Sequence, residues 1–236
     1  MAIYTKLDKE KVVSIISNYN LGNMNNYQGI KEGIENTNYL VETDKGKYIL
    51  TIYEKRVNKD DLPFFSKLME ELSNKKFICP KPILNKNNKY ISDLGSKKFM
   101  LVSYLEGKSK TNLSPDDCSS VGKQAARFHE ITKNFNFKRD NDLSVKSWRR
   151  IFDQVKDKCN RIHPDLPKLI ETNLEDVEKD WPENLPKGII HADLFHDNIF
   201  FKNNKFSGFI DFYFSCNDFY AFEIAICLNA LCFDGI

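Results

Sequence analysis

The eight residues from His191 to Asn198 hold a high density of side chains that bind metals or transfer protons. They include two histidines, two aspartates and one asparagine, and apolar runs lie on both sides. Polar groups between two predicted buried strands need hydrogen-bonding or ligand partners. Three interpretations are therefore open, namely a metal-binding cluster, a catalytic loop or an ordinary polar turn.

A hairpin predicted directly after this segment brings another carboxylate to it. The runs Ile199–Lys202 and Phe206–Ile210 are apolar, and the two asparagines between them tolerate left-handed turn conformations. With that turn, the predicted register places Asn198 opposite Phe209. Asp211 then emerges at the open end of the hairpin, 13 residues after Asn198 in the sequence but beside it in space.

Asp193, Asn198 and Asp211 are thus expected to converge at one rim of the predicted hairpin. Two carboxylates and an amide oxygen form a set of hard oxygen ligands, which suits Mg²⁺ better than zinc. A zinc site is disfavoured because no third histidine or cysteine lies at ligand spacing from His191 and His196.

The composition indicates a globular protein with one large domain or two modest lobes. The chain has 236 residues, 41% hydrophobic and 29% charged, with a net charge of +2 spread along the sequence. The six cysteines are scattered without a C-x-x-C pair, which predicts free thiols in a reducing compartment. No signal peptide or membrane span is recognised. We therefore expect a cytoplasmic protein with neither nucleic acid nor a membrane as a partner, and monomer and homodimer remain equally open.

The pattern of elements changes along the chain from strands to helices. Strands are predicted at Asn38–Thr43, Lys47–Tyr53 and Lys97–Gly107, with an amphipathic helix between the last two that begins near Asp60. Helices follow from Ser114 onward, interrupted only by the hairpin described above. The predicted fold is therefore α+β, strand-rich at the N-terminus and helical at the C-terminus.

These motifs resemble a known family. The pattern H-x-D-x-x-x-x-N, a hairpin and a following Asp resembles the catalytic segment of the protein-kinase-like fold. The segments "HADLFHDNIFF" and "IDFYF" resemble its aminoglycoside and choline phosphotransferase branch. Together with "GIENTNYLVET", "KYILTIYEKR" and "SWRRIF", they are similar to the kinase-like homoserine kinases of proteobacteria over nearly the whole chain.

The resemblance implies a two-lobe architecture. It predicts an N-terminal nucleotide-binding lobe at residues 1–105, made of an antiparallel sheet with one packed helix, and a hinge at about 103–107. It also predicts a mainly helical C-terminal lobe at residues 106–236, with the catalytic loop at 191–198. Relatives of this kind continue with further helices, so the chain is expected to be short at its C-terminus.

The resemblance also assigns roles around the catalytic loop. Asp193 corresponds to the catalytic Asp that accepts or orients the proton of the acceptor hydroxyl. Asn198 and Asp211 correspond to the Mg²⁺ ligands that hold the ATP phosphates. His191 corresponds to a structural residue behind the loop, and Asp218 to an acid that braces it.

ATP is expected to bind in the N-terminal lobe. The residues predicted to contact it are Gly33, Asn36, Thr37, Asn38, Lys47, Ser103 and Leu105. The first four belong to the turn that would cover the phosphates, and the last two to the hinge that would pair with adenine through backbone groups.

One position departs from the family pattern. Kinases of this fold place a Lys or Arg on the third strand, and aligning "YILT" on that strand puts Thr51 there. Another cation is then expected to replace it, with Lys47, Lys55 and Arg56 as candidates. Lys47 lies on the same face of the strand as Thr51, because side chains alternate.

The predicted activity is ATP-dependent phosphorylation of the hydroxyl of L-homoserine to O-phospho-L-homoserine, a step of threonine biosynthesis. Arg149 is the predicted binder of the substrate carboxylate, because a guanidinium binds carboxylates in a bidentate manner. A helix-surface ion pair is an equally open interpretation of Arg149. Two alternatives to the activity are a kinase for another small alcohol or amino sugar, and a catalytically silent nucleotide-binding relative.

Overall fold

The computed structural model describes residues 3–33, 35–54 and 57–233. The described strands are β1 (Met24–Ile30), β2 (Thr37–Thr43), β3 (Gly46–Tyr53), β4 (Ile91–Leu94), β5 (Lys97–Ser103), β6 (Lys187–Ile190), β7 (Ile199–Lys202), β8 (Lys205–Phe209) and β9 (Cys216–Phe219). The described helices are α1 (Lys9–Ile16), α2 (Leu62–Asn74), α3 (Pro115–Thr132), α4 (Val145–Asp153), α5 (Lys156–Cys159), α6 (Leu166–Asp180) and α7 (Tyr220–Leu231). None of these helices is long and apolar enough to cross a membrane.

The N-terminal lobe is an antiparallel sheet with a helix on each face. Its five strands follow the order β1-β2-β3-β5-β4. Alternate residues of β3 point to opposite faces, so Leu50 packs towards α1 and Tyr53 packs towards α2. One packed helix, α2, is the one expected from the sequence. The other helix, α1, is short and rich in lysine, and buries only Val12, Ile15 and Ile16.

The helical C-terminal lobe carries two small antiparallel sheets. One pairs β6 with β9, and the other pairs β7 with β8. Helix α3 begins at the predicted position, where Ser114 and Asp117 form a capping box around Pro115. Its buried face joins the N-terminal helix α2, β6 and the β7–β8 hairpin in one apolar cluster. The two lobes therefore share a continuous core.

The β7–β8 hairpin has the predicted turn but a shifted register at its open end. Asn203 and Asn204 both adopt left-handed conformations, with φ of 50° and 59°. A bulge between Phe200 and Phe201 then places Ile199 opposite Phe209. The prediction that Asn198 faces Phe209 is therefore wrong by one residue. The carbonyl of Asn198 instead accepts a hydrogen bond from the N–H of Ile210 at 3.0 Å.

The segment after β5 connects the two lobes along this hairpin. Lys108 and Phe201 exchange two backbone hydrogen bonds, at 3.0 and 2.8 Å. Gly208, with φ of 134°, lets the hairpin approach the N-terminal lobe, because a Cβ there would lie 2.6 Å from the carbonyl oxygen of Ile78. The predicted lobe boundary at residue 105 falls within this segment and stays a prediction.

Candidate active site

Asp193 and Asn198 form the centre of the candidate site. The side-chain amide of Asn198 donates hydrogen bonds to the carboxylate of Asp193 at 2.7 Å and to its carbonyl oxygen at 2.8 Å. Both amide protons are thus used within the loop. This arrangement fixes the orientation of the amide group and leaves the Oδ1 atom of Asn198 as the atom that can bind a cation.

The hairpin returns Asp211 to the same region. Asp211 lies two residues after the end of β8 and has a left-handed backbone, with φ of 61° and ψ of 64°. A non-glycine residue in this conformation costs about 1–3 kcal/mol and is often found at functional sites. The backbone hydrogen bond between Asn198 and Ile210 holds the two ends of the hairpin together, next to Asp211.

Burial and neighbouring carboxylates disfavour the charged forms of Asp193 and Asp211. The pKa of Asp193 is raised to about 7, first by burial and then by repulsion from Asp211. The pKa of Asp211 is raised to about 6, again first by burial and then by repulsion from Glu35. Asp211 is nevertheless solvent-exposed, so the burial contribution is smaller than for an enclosed group. The acids form a negative site that remains accessible to a cation.

The donor set fits a hard divalent cation. Asp211 offers a carboxylate and Asn198 offers an amide oxygen, which are ligands that Mg²⁺ accepts, with phosphate oxygens and water completing its shell. Among the described residues, no group of three or more His, Cys, Asp or Glu is arranged to hold a metal. The zinc interpretation of the two histidines therefore has no support in this part of the chain.

His191 lies behind the loop and not at its surface. Its ring is fully buried, and the Nε2 atom lies 2.9 Å from the carbonyl oxygen of Ile210. Burial lowers the pKa of the imidazole. The Nδ1 atom has no partner among the described residues. A buried neutral ring against the backbone before Asp211 agrees with a structural position.

Glu223, which the sequence analysis did not single out, braces the catalytic loop. Its buried carboxylate accepts the backbone N–H of His191 at 3.0 Å and that of Ala192 at 2.8 Å. The ring of His129 lies 2.9 Å away. By accepting these two consecutive N–H groups, the carboxylate stabilises the left-handed turn at Ala192, where φ is 65°. An acid within the apolar helix α7 was the signal that could have identified it.

Asp218, which was predicted to brace this loop, has other partners. It accepts a hydrogen bond from the side-chain amide of Asn141 at 2.6 Å and one from the N–H of Phe219 at 2.7 Å. Asp218 thus ties the segment before α4 to β9. The bracing contact belongs to Glu223, five residues later in α7, and this corrects the prediction.

The predicted phosphate turn is pinned to the N-terminal segment. The hydroxyl of Thr37 donates to the carboxylate of Glu54 at 2.8 Å and accepts the N–H groups of Tyr4 and Thr5. The hydroxyl therefore has no donor left for a phosphate, and the predicted contact of Thr37 is restricted to its backbone. The side-chain oxygen of Asn36 accepts the N–H of Glu54 at 3.3 Å. The side-chain amide group of Asn36 therefore remains a donor that it could offer a phosphate.

The other two residues of that turn remain compatible with a ligand. Gly33 is exposed, has φ of 89°, and has no atom within 4 Å of where a Cβ would be. Asn38 lies on the face of the sheet opposite to Thr37 and accepts a hydrogen bond from the hydroxyl of Thr51 at 2.8 Å. The position that carries a cation in other kinases is thus occupied by a neutral pair, Asn38 and Thr51.

The candidate cation Lys47 lies too far along the strand. It forms an ion pair with Glu42 at 2.7 Å at the start of β3 and is half exposed. Four residues of strand separate it from Thr51, or about 13 Å, which is longer than a lysine side chain. This corrects the proposal that Lys47 replaces the strand cation. The other two candidates, Lys55 and Arg56, lie outside the described residues.

The predicted hinge residues differ in their freedom to bind a ligand. Ser103 exchanges hydrogen bonds with Lys81, since each backbone N–H donates to the other residue at 2.8 Å. Tyr104 donates its N–H to the carbonyl of Lys47 at 3.0 Å. The backbone N–H of Leu105 has no backbone partner among the described residues. Leu105 is therefore the hinge residue with a main-chain donor available for adenine.

Arg149 occupies a surface ion pair. Its guanidinium binds the carboxylate of Glu178 in a bidentate manner, with the shortest distance 2.6 Å, and joins α4 to α6. Both side chains are about one third exposed. The structure does not bring Arg149 into contact with Asp193 among the described residues. The ion-pair interpretation thus describes this conformation, and substrate binding by Arg149 stays a prediction.

Comparison with solved structures gives the same fold at low sequence identity. An amicoumacin kinase in complex with AMP-PNP and Ca²⁺ matches with a TM-score of 0.70 and 16% identity, covering 95% of this chain and 69% of that one. A choline kinase from Cryptosporidium parvum matches with a TM-score of 0.67 and 20% identity, covering 92% and 68%. These matches confirm the protein-kinase-like α+β fold predicted from the sequence.

Comparison of sequences gives closer relatives. Homoserine kinases from Rhizobium meliloti and Xanthobacter autotrophicus are each 42% identical over 234 residues, covering 99% of this chain and 72% and 73% of theirs. The homoserine kinase of Methylobacterium nodulans is 43% identical over the same length. The model of the phosphotransferase enzyme family matches residues 26–235. On these matches, this chain belongs to the phosphotransferase enzyme family.

Proposed function

We propose that this chain is a homoserine kinase, which transfers the γ-phosphoryl group of ATP to the side-chain hydroxyl of L-homoserine. The observation that carries the proposal is the 42% identity to homoserine kinases over 99% of the chain. The convergence of Asp193, Asn198 and Asp211 supports it, because phosphoryl transfer depends mainly on positioning and charge neutralisation.

Asp193 is the proposed catalytic residue. Its carboxylate is held by the amide of Asn198, in an orientation that would direct the second oxygen towards an acceptor hydroxyl. As the hydroxyl oxygen attacks the γ-phosphorus, Asp193 orients it and accepts its proton. ADP and O-phospho-L-homoserine are the products.

Asn198 and Asp211 are the proposed ligands of Mg²⁺. When bound, the ion would neutralise the charge on the ATP phosphates and the repulsion that raises the pKa values of the two acids. The negative potential of the site agrees with this role. The nucleotide is proposed to lie under the turn at Gly33 and Asn38, with adenine at the backbone of Leu105.

Recognition of homoserine requires groups for its carboxylate and ammonium. Arg149 remains the proposed partner of the carboxylate, although it would have to share or leave Glu178. The carboxylate of Asp193 is the proposed contact of the hydroxyl. The proposal includes a role in threonine biosynthesis and a location in the reducing cytoplasm. The six cysteines, which are all free thiols, agree with a reducing location.

A kinase for another small alcohol is the second candidate. It is favoured by the similarity in fold to a choline kinase and to an aminopropanol kinase, the latter with a TM-score of 0.63. The neutral pair at Thr51 and Asn38 keeps a silent nucleotide-binding protein as a third candidate.

A substrate panel distinguishes the three candidates. ADP release would be measured with L-homoserine, choline, ethanolamine, an aminopropanol and an aminoglycoside at equal concentrations. We expect turnover with L-homoserine to exceed that with every other alcohol. Turnover with a different alcohol would refute the substrate and keep the phosphotransferase chemistry, whereas nucleotide binding without any turnover would identify a silent relative.

A further inference from the structure

Arg139 lies between α3 and α4 and connects parts of the molecule that are distant in sequence. Its side chain is only 12% exposed. The Nε atom donates to the carboxylate of Asp61 at 2.7 Å, and Nη2 donates to Asp142 at 2.6 Å. The Nη1 atom donates to the carbonyl oxygens of Phe214 and Ser215, each at 3.4 Å. One guanidinium therefore holds two carboxylates and two backbone carbonyls.

These partners belong to opposite lobes. Asp61 immediately precedes α2 of the N-terminal lobe. Phe214 and Ser215 end the short turn that directly follows Asp211. The planar guanidinium has donors that point in several fixed directions, so Arg139 can bind Asp61 and the two carbonyl groups at once. A lysine ammonium cannot do this in the same geometry. Arg139 thus fastens the loop after the proposed metal ligand to the N-terminal lobe.

The backbone around Arg139 gives the clamp a rigid base. Its N–H donates to the side chain of Asn217 at 2.9 Å, and its carbonyl accepts the N–H of Asn217 at 2.7 Å. Because Asn217 lies in β9, these two hydrogen bonds fix the backbone of Arg139 to the C-terminal lobe. Ser215 also donates to the carbonyl of His191 at 3.4 Å, so the same loop contacts the catalytic loop.

Aromatic packing links the clamp to Asp211 itself. The guanidinium lies over the ring of Phe65 in α2, 5.3 Å from its centre. Phe65 packs edge-on against Tyr213 at 5.6 Å. The backbone N–H of Tyr213 in turn donates to the carboxylate of Asp211, which lowers the pKa of that group against the effect of burial. These contacts connect Arg139, through Phe65 and Tyr213, to the segment that carries Asp211.

We propose that Arg139 is a positioning residue that holds the loop after Asp211 against α2 and thereby sets the affinity for the Mg²⁺–nucleotide complex. It contacts neither the nucleotide nor the acceptor in this role. The inference depends on one part of the proposed function, namely that Asp211 binds the metal. It goes further by assigning metal affinity to a residue 72 positions away in the sequence.

A second arginine between the lobes provides a matched control. Arg127 in α3 donates through Nη2 to the carbonyl of Lys76, just after the end of α2, at 3.0 Å. It also lies over an aromatic ring, that of Phe77, at 5.9 Å. Arg127 therefore joins the same helix α2 to the C-terminal lobe, but at the end away from Asp61 and without contact to the metal loop.

The test measures binding of ADP by titration calorimetry, with Mg²⁺ and with EDTA, for the wild type and for Arg139→Lys and Arg127→Lys. Loss of residues that orient metal ligands commonly reduces metal affinity by about 10- to 100-fold. We expect the Kd of Mg²⁺–ADP to rise about 10-fold or more for Arg139→Lys, with a much smaller change in EDTA. We expect Arg127→Lys to stay within about 2-fold of the wild type under both conditions.

The proposal would be overturned if both lysine variants raised the Kd of Mg²⁺–ADP equally. It would also be overturned if Arg139→Lys raised the Kd of ADP by the same factor with EDTA, because either result indicates a general loss of rigidity. If Arg139→Lys does not fold, Asp61→Asn replaces it, since this change removes only the N-terminal anchor. An unchanged Kd of Mg²⁺–ADP for folded Asp61→Asn would then refute the clamp.

Because no homoserine is used, wild-type protein that binds Mg²⁺–ADP but lacks homoserine turnover would contradict the proposed function alone.

Discussion

At the scale of single residues, the buried carboxylate of Glu223 decides the shape of the catalytic loop. It accepts two consecutive backbone N–H groups on the strained turn before Asp193. A glutamine in its place would direct an amide N–H₂ group at one of these donors. One buried donor then stays unpaired, which costs about 1–3 kcal/mol.

Glu223→Gln is therefore expected to lower kcat by about 10- to 100-fold, because small displacements of positioned groups have effects of this size. Steady-state kinetics with L-homoserine, together with thermal unfolding, measure both consequences. Asp218→Asn is the matched control, since Asp218 bonds Asn141 and not the loop. A larger loss of kcat for Asp218→Asn than for Glu223→Gln would restore the role that the sequence had suggested for Asp218.

The raised pKa of Asp211 predicts that its charge destabilises the metal-free protein. A folded-state pKa of about 6 against an ordinary value of 3.8 means that the penalty is absent well below pH 4 and complete above pH 6. Because Asp211 is exposed, only part of this shift acts on stability. Without Mg²⁺, Asp211→Asn should therefore raise Tm at pH 8 by about 2 °C, and the gain should vanish towards pH 4. Calorimetry in EDTA tests this, and a lower Tm at pH 8 would contradict it.

Single residues were also where prediction from the sequence was least complete. The types and spacing of Asp193, Asn198 and Asp211 were sufficient to predict their convergence, because a two-residue turn fixes the return of the chain. The partners of Thr37 and Asp218 were not predictable, because they come from segments 17 to 77 residues away. A spacing pattern contains no information about contacts of that kind.

At the scale of elements, the β7–β8 hairpin positions the two proposed metal ligands, Asn198 and Asp211, one at each end of its strands. Its turn was predictable from two asparagines. The bulge, in which Ser207 has no partner between the pairs Phe200–Gly208 and Phe201–Phe206, was not predicted, although Gly208 with its positive φ lies directly beside it. The bulge shifts the register by one residue near the site. The close approach of Gly208 to Ile78 fixes the hairpin against the N-terminal lobe.

Gly208→Ala is expected to destabilise the protein by more than about 2 kcal/mol, because the new Cβ would meet a backbone oxygen and φ is positive. Gly122→Ala provides the control, since it lies within α3 with no atom within 4 Å of its new Cβ. That change should stabilise the protein by about 0.5–1 kcal/mol. Urea unfolding measures both, and similar effects of the two substitutions would contradict the described packing at Gly208.

At the scale of the whole molecule, one apolar cluster extends from the N-terminal sheet into the helical lobe. The sequence predicted the α+β class and the order of elements, because periodicity and caps are local signals. It did not predict α1, a helix of only eight residues whose three buried residues follow a lysine-rich start. The shared core brings residues of both lobes, such as Asp61 and Arg139, into direct contact.

The most direct test of the account is to identify the product of the reaction. Purified protein with ATP, Mg²⁺ and L-homoserine would be followed by phosphorus NMR, with Asp193→Asn as the control. We predict a phosphomonoester on the side-chain oxygen of homoserine, formed with ADP in equal amounts, and a rate at least about 100-fold lower for the variant. ADP without this phosphomonoester, or a variant within 10-fold of the wild type, would contradict the assignment of homoserine kinase activity to this site.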